Sequence, residues 1–134
     1  MGMRIVVISV PGQITPDTQN HLIKQAEEFG IGFGFVFEDS EGGLVTAVQK
    51  ACGADGVILN AGDFARYSIA IRDAISSIEK TPVVEVTLSN SAAERDPRHS
   101  SVLSAVCAGV ISGFGQDCYS LALRALVYEK SRNN

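Results

Sequence analysis

Five short apolar runs recur along this chain, and four stretches with helical spacing separate or follow them. The first run, Arg4 to Val10, is a continuous β-branched stretch that Pro11-Gly12 ends. Ile31 to Phe37 is the second, Gly56 to Leu59 the third, Val83 to Leu88 the fourth, and Val106 to Gly115 the fifth. The spacing predicts a helix through His21–Phe29, with Leu22, Ile23, Ala26 and Phe29 on one face, Thr15 or Asp17 as cap and Gly30 as stop. Asp39-Ser40-Glu41-Gly42-Gly43 opens a second helix through Leu44–Cys52. A third covers Ser68–Ile78 and turns Ile71, Ala74, Ile75 and Ile78 inward, and the last runs from about Asp117 to Glu129. Gly32 and Gly34 in the second run fit either a close backbone neighbour or an adaptable edge strand.

Alternation of this kind calls for a doubly wound parallel sheet with helices on both faces. Right-handed crossovers and short connections select strand order 2-1-3-4-5, a flavodoxin-like three-layer α/β sandwich. No linker, repeat or low-complexity stretch interrupts it, so residues 1–134 read as one domain, long enough to bury a core. A formal charge of −4 argues against a nucleic-acid partner, which needs a basic face; Lys130 and Arg132 are too few to supply one. No apolar run is long enough to span a bilayer, and Met1-Gly2-Met3-Arg4 enters a strand directly, without a signal peptide. Val6 stands where myristoylation would want Ser or Thr. Cys52, Cys107 and Cys118 form no Cys-x-x-Cys pair and no metal spacing. The expectation is therefore a cytoplasmic protein without metal, with Cys52 and Cys107 as packing thiols.

Ligands of open α/β sheets sit outside the carboxyl ends of the strands, and here the third and fourth runs end in polar residues. Asn60 offers an amide, and the backbone N–H groups of Leu88 and Ser89 can hold an oxyanion; Glu85, Thr87 and Asn90 lie beside them. Glu85 sits inside an apolar strand, so its carboxyl needs a partner, with Arg72, Arg98 or a histidine as candidates. A purely structural ion pair stays open as the alternative. The segment Pro11–Asp17 lacks the Ser/Thr/Gly cradle of a phosphate site, and Asn60 stands where a phospho-acceptor would need Asp. Gly32-Phe33-Gly34 lies within a strand rather than at a strand-to-helix turn, which removes the dinucleotide reading.

Several pieces together resemble type II 3-dehydroquinate dehydratase. They are Asn60-Ala61-Gly62, Ser68 with Ala70 and Arg72-Asp73-Ala74, and Glu85-Val86 with Leu88-Ser89-Asn90. Arg98 with Ser101, and Gly109 through Gly113 and Gly115 to Tyr119 and Leu121-Ala122-Leu123, complete the set. Asp39-Ser40-Glu41-Gly42 resembles the segment after the family's second strand, so the likeness runs from strand two onward. It implies flavodoxin-like subunits assembled as trimers or dodecamers, and cofactor-free anti-elimination of water from 3-dehydroquinate. It implies substrate contacts from Asn60, from the Leu88 and Ser89 amides and from Arg98, with Asp73 reaching a neighbouring subunit. In the family a glutamate orients the general-acid histidine, and Glu85 matches that glutamate.

At other positions the chain departs from that pattern. Ser9-Val10-Pro11-Gly12-Gln13 runs almost at once into the first helix, where the family has a long lid bearing an arginine and the tyrosine base. Thr87 stands in the place of the acid histidine and Arg66 in that of a second pocket histidine. Arg66-Tyr67 supplies an adjacent arginine and phenol, since a cation beside a phenol lowers its pKa; the alternative is that the two side chains point apart. His99 is a candidate acid or a solvated loop residue, His21 a surface residue, and Asp63 a helix cap or a new pocket acid. The first expectation is thus a pocket for a small carboxylated polyol with standard dehydratase activity weak or absent. Beside it stand an active dehydratase using Tyr67, Arg66 or His99, and a non-enzymatic oligomeric scaffold or regulatory subunit.

Overall fold

Strand β1 (Arg4–Ser9) pairs in parallel with β2 (Gly32–Phe37) on one side and β3 (Gly56–Asn60) on the other. Strand β4 (Val83–Thr87) follows β3, and β5 (Gly109–Ser112) closes the sheet, giving the order β2-β1-β3-β4-β5. This computed structural model describes residues 2–90 and 100–132. The predicted strand order and flavodoxin-like architecture are both present.

The central strands read as unbroken apolar runs because both of their faces are covered. Ile5 and Val7 of β1 and Ile58 of β3 pack under helices α1 (Pro16–Phe29) and α4 (Asp117–Arg132), against Leu22, Cys118, Leu123 and Leu126. Ile8, Val57 and Leu59 point to the opposite face, under α2 (Glu41–Lys50) and α3 (Ile69–Ser77), against Leu44, Val48, Ile71 and Ile75. Gly56 opens β3 where α4 crosses closely: an added Cβ would meet Leu126 Cδ1 at 2.9 Å.

Each crossover helix starts at a side-chain cap. Thr15 accepts the N–H of Thr18 at 3.1 Å, with Pro16 at the first helical position, and Gly30 ends α1 at φ +70°. Ser40 accepts the N–H of Gly43 and Ser68 that of Ile71, each at 3.0 Å. The Ser68 hydroxyl also donates to Glu41 Oε2 at 2.6 Å, tying the start of α3 to α2.

Of the two cap candidates for α1, Thr15 is the one realised, so the helix begins at Pro16. Three departures from the sequence expectations are local. The fifth strand is confined to Gly109–Ser112, since Ser104–Val106 forms a 3-10 turn and the Cys107 N–H returns to Ser104 O at 3.3 Å. Gly62–Arg66 forms another 3-10 turn between β3 and α3. Cys52 is exposed, not packed, because it follows the last turn of α2; Cys107 is half-buried and Cys118 buried. Of the two readings of the β2 glycines the edge is the one realised: β2 lies outermost, and Gly34 has open space around its Cα. Among the described residues no helix is long and apolar enough to cross a membrane. The polar stretch 91–98, which reads from the sequence as a loop after β4, and His99 lie outside the described residues.

Candidate active site

A cavity of about 690 Å³ opens at the carboxyl ends of β1, β3 and β4, where the polar strand ends converge. Asn60, the last residue of β3, is 4% exposed, and every direction of its amide that the fold fixes can be assigned. The N–H of Gly62 can only donate, so the atom 3.0 Å away is Oδ1 of Asn60. The Nδ2 amine therefore faces Tyr119, donating to Oη at 2.8 Å. With that lone pair engaged, the Tyr119 hydroxyl donates its own proton to the carbonyl of Gln13 at 3.0 Å. Gln116 Nε2 donates to the same carbonyl at 3.0 Å, and Gln116 Oε1 accepts the Thr15 N–H at 3.1 Å. Tyr119 comes from the buried face of α4, and burial pushes its phenol above the ordinary range, while the Asn60 and Ser9 hydrogen bonds pull the other way.

Glu85 projects from the middle of β4 and is 2% exposed. Its partners among the described residues are two hydroxyls: Ser101 Oγ donates to Oε2 at 2.6 Å and Ser104 Oγ to Oε1 at 2.5 Å. Ser101 Oγ also accepts the Leu103 N–H at 3.0 Å, which leaves its proton for Glu85. Arg72, an expected partner, instead donates to Val102 O at 3.2 Å, because α3 points it along the surface. Both oxygens of a buried carboxyl are thus satisfied without a cation among these residues. The Cys107 thiol is pushed up to about 12, by burial first and by Glu85 second.

Thr87, Leu88 and Ser89 line the same cavity, and the Leu88 carbonyl accepts the Gly115 N–H at 2.9 Å. At the rim, Arg66 approaches Asp63 at 3.5 Å with both side chains solvated. Asp63 makes no capping bond; the turn begins at Ala61, and it is Asn60 that receives the Gly62 N–H. Arg66 lines the cavity, but Tyr67 lies outside the lining, 60% exposed with its ring centroid 6.0 Å from that of Phe64. Asp73 is exposed on α3, outside the lining, and His21 is exposed on α1. Arg98 lies outside the described residues. Sequence reasoning missed Ser104, Gln13 and Gln116, and treated Tyr119 only as part of a pattern. A tyrosine on a buried helical face must find a partner for its hydroxyl, and that signal was available. Among the described residues no group of three or more His, Cys, Asp or Glu is placed to hold a metal ion.

The comparisons with known proteins converge on one family. Residues 10–127 match the family model described as Dehydroquinase class II. The match starts at Val10, so it takes in the β1–α1 connection as well as the segments from strand two onward. A 3-dehydroquinate dehydratase of Bacillus cytotoxicus is 46% identical over 122 residues, 90% of this chain and 83% of the relative. That of Chlorobaculum tepidum is 44% identical over 92% of this chain and 84% of its own. In three dimensions, the type II dehydroquinase of Butyrivibrio crossotus superposes with a TM-score of 0.87 at 29% identity, over 93% of this chain and 97% of that one. A 3-dehydroquinate dehydratase-like protein from Bifidobacterium longum gives 0.78 at 26% identity, over 96% and 98%. With this sequence match, this strand order and relatives this similar along most of their length, the chain belongs to the class II dehydroquinase family.

Proposed function

We propose that this protein acts on 3-dehydroquinate, eliminating water to give the conjugated enone, in the cavity at the carboxyl ends of β1, β3 and β4. The observation that carries the reading is the pair of immobilised polar groups at that cavity, Asn60 held by Gly62 and Tyr119, and Glu85 held by Ser101 and Ser104. Relatives 46% and 44% identical bear the name of this activity, which supports the assignment of the substrate. In this reading Asn60 and the Leu88 and Ser89 amides bind substrate oxygens, and Glu85 orients the side of the cavity formed by β4. No cofactor takes part. Proton removal falls to Tyr67 beside Arg66, which requires the phenol to swing from Phe64 over the rim. The C–O bond breaks as the enone forms, and the hydroxyl leaves as water with a proton supplied by solvent in the open cavity. Tyr67 later returns to solvent the proton it took. Acid and base are each worth about 10²–10⁴-fold in such a reaction.

A second reading is binding of a small carboxylated polyol without efficient turnover. Two observations favour it: Thr87, whose hydroxyl does not ionise near neutral pH, is the cavity residue two positions after Glu85, and Tyr67 lies outside the lining. Purified protein with 3-dehydroquinate, followed by the enone absorbance, separates the two. Conversion that Asn60→Ala reduces at least tenfold, and Tyr67→Phe by about 10²-fold or more, supports the first. No conversion, with a rise in Tm on adding quinate that Asn60→Ala abolishes, supports the second. Neither effect would sink both.

A further inference from the structure

We propose that Tyr119 is the positioning residue of this cavity: through one buried hydroxyl it sets the presentation of the Asn60 amide and ties it to the backbone turn at Gln13, the facing wall. Donor and acceptor arithmetic gives the chain of hydrogen bonds a single direction. It runs from Asn60 Nδ2 to Tyr119 Oη at 2.8 Å, and from Tyr119 Oη to Gln13 O at 3.0 Å. Gly62 holds the other end of the amide at 3.0 Å. Asn60 therefore shows a ligand only its remaining N–H and its remaining Oδ1 lone pair. Amide rotation would set Nδ2 against the Gly62 N–H, donor to donor, and Oδ1 against the phenol. Tyr119 is fully buried and its one proton is committed to Gln13, so it takes no part as an acid or base. Gln13 O has a second donor in Gln116, so losing the phenol hydroxyl leaves the turn anchored but the amide held at one end only, by Gly62. The specific deficit expected of Tyr119→Phe is thus at Asn60, not in the fold as a whole.

The ligand readout of this inference rests on the cavity being the substrate site, as proposed above. Quinate lacks the ketone needed for elimination and reports binding alone. Tyr119→Phe is expected to weaken quinate binding about tenfold, the effect of one hydrogen bond on a positioned group. Leu123→Val, fully buried on the same helix but outside the chain of hydrogen bonds, is expected to lower Tm and leave Kd within about twofold. In an Asn60→Ala background, Tyr119→Phe should have no further effect on Kd. Additive losses, or an unchanged Kd in a folded Tyr119→Phe protein, would overturn the proposal. A second readout is independent of any ligand. Of the two Asn60 side-chain amide proton signals in a nitrogen-15 spectrum, assigned by their absence in Asn60→Ala, the one bonded to Tyr119 should be protected from exchange in the parent and unprotected in Tyr119→Phe. If the parent neither converts nor binds these compounds, the functional reading falls and this signal alone decides: unaltered protection in Tyr119→Phe refutes the positioning role.

Discussion

Two serine hydroxyls, rather than a cation, meet both oxygens of Glu85 among the described residues. Hydrogen bonds to a buried carboxyl are stronger than neutral ones, so Ser104→Ala should destabilise the fold by about 1.5–3 kcal/mol, read from urea unfolding. That Glu85 required a partner was legible in an apolar strand containing one acid. Which partner was not, because Ser101 and Ser104 lie 16 and 19 residues further along the chain and a serine carries no distinguishing pattern. The cysteines give a second prediction at this scale. Cys52 is exposed, Cys118 is buried, and Cys107 stays protonated with its thiol raised to about 12. Since the thiolate is the nucleophile, iodoacetamide near pH 8 should modify Cys52 first, and the other two at full rate only in denaturant. Rapid labelling of Cys107 in the native protein would contradict this.

The elements were more legible than their contacts. β-branched runs alternating with amphipathic stretches dictated the sheet order, because handedness and short connections leave few alternatives. Boundaries failed where apolar composition and backbone conformation part company. Val106 and Cys107 look like strand residues, yet pairing starts only where the Ala108 N–H reaches Val83 O at 2.7 Å, beyond the 3-10 turn. The contact of β3 with α4 yields a prediction for this scale. Gly56→Ala would push a methyl against Leu126, which is 3% exposed and cannot simply swing into solvent. The expected cost is about 1–3 kcal/mol from overpacking. Quinate affinity should not change, because Gly56 lies at the amino end of β3 and the cavity at its carboxyl end. Equal stability of the variant in urea would count against this packing.

Across the whole molecule, Asp55 joins the start of β1 to the end of α4. Its Oδ2 accepts the Arg4 N–H at 2.7 Å, and Oδ1 lies 3.3 Å from Lys130 Nζ. The Arg4 N–H first, and Lys130 after it, hold the carboxyl below its ordinary value of 3.8. A carboxyl depressed in the native state stabilises it above the unfolded pKa, and that contribution is lost as pH falls through the native one. Asp55→Asn should therefore lower Tm near neutral pH, and the gap between parent and variant should close in strong acid. A gap that widens on acidification would show the sign to be wrong.

The bond from Tyr119 to Gln13 spans 106 residues, linking the last helix to the first connection. As the chain leaves the ribosome, β1, β2 and β3 are all available once Asn60 has emerged, whereas the phenol that holds Asn60 follows 59 residues later, on α4. The cavity wall is thus completed only after the strands that carry it, and a chain cut short before α4 would carry the strand ends of the site without the clasp that holds them.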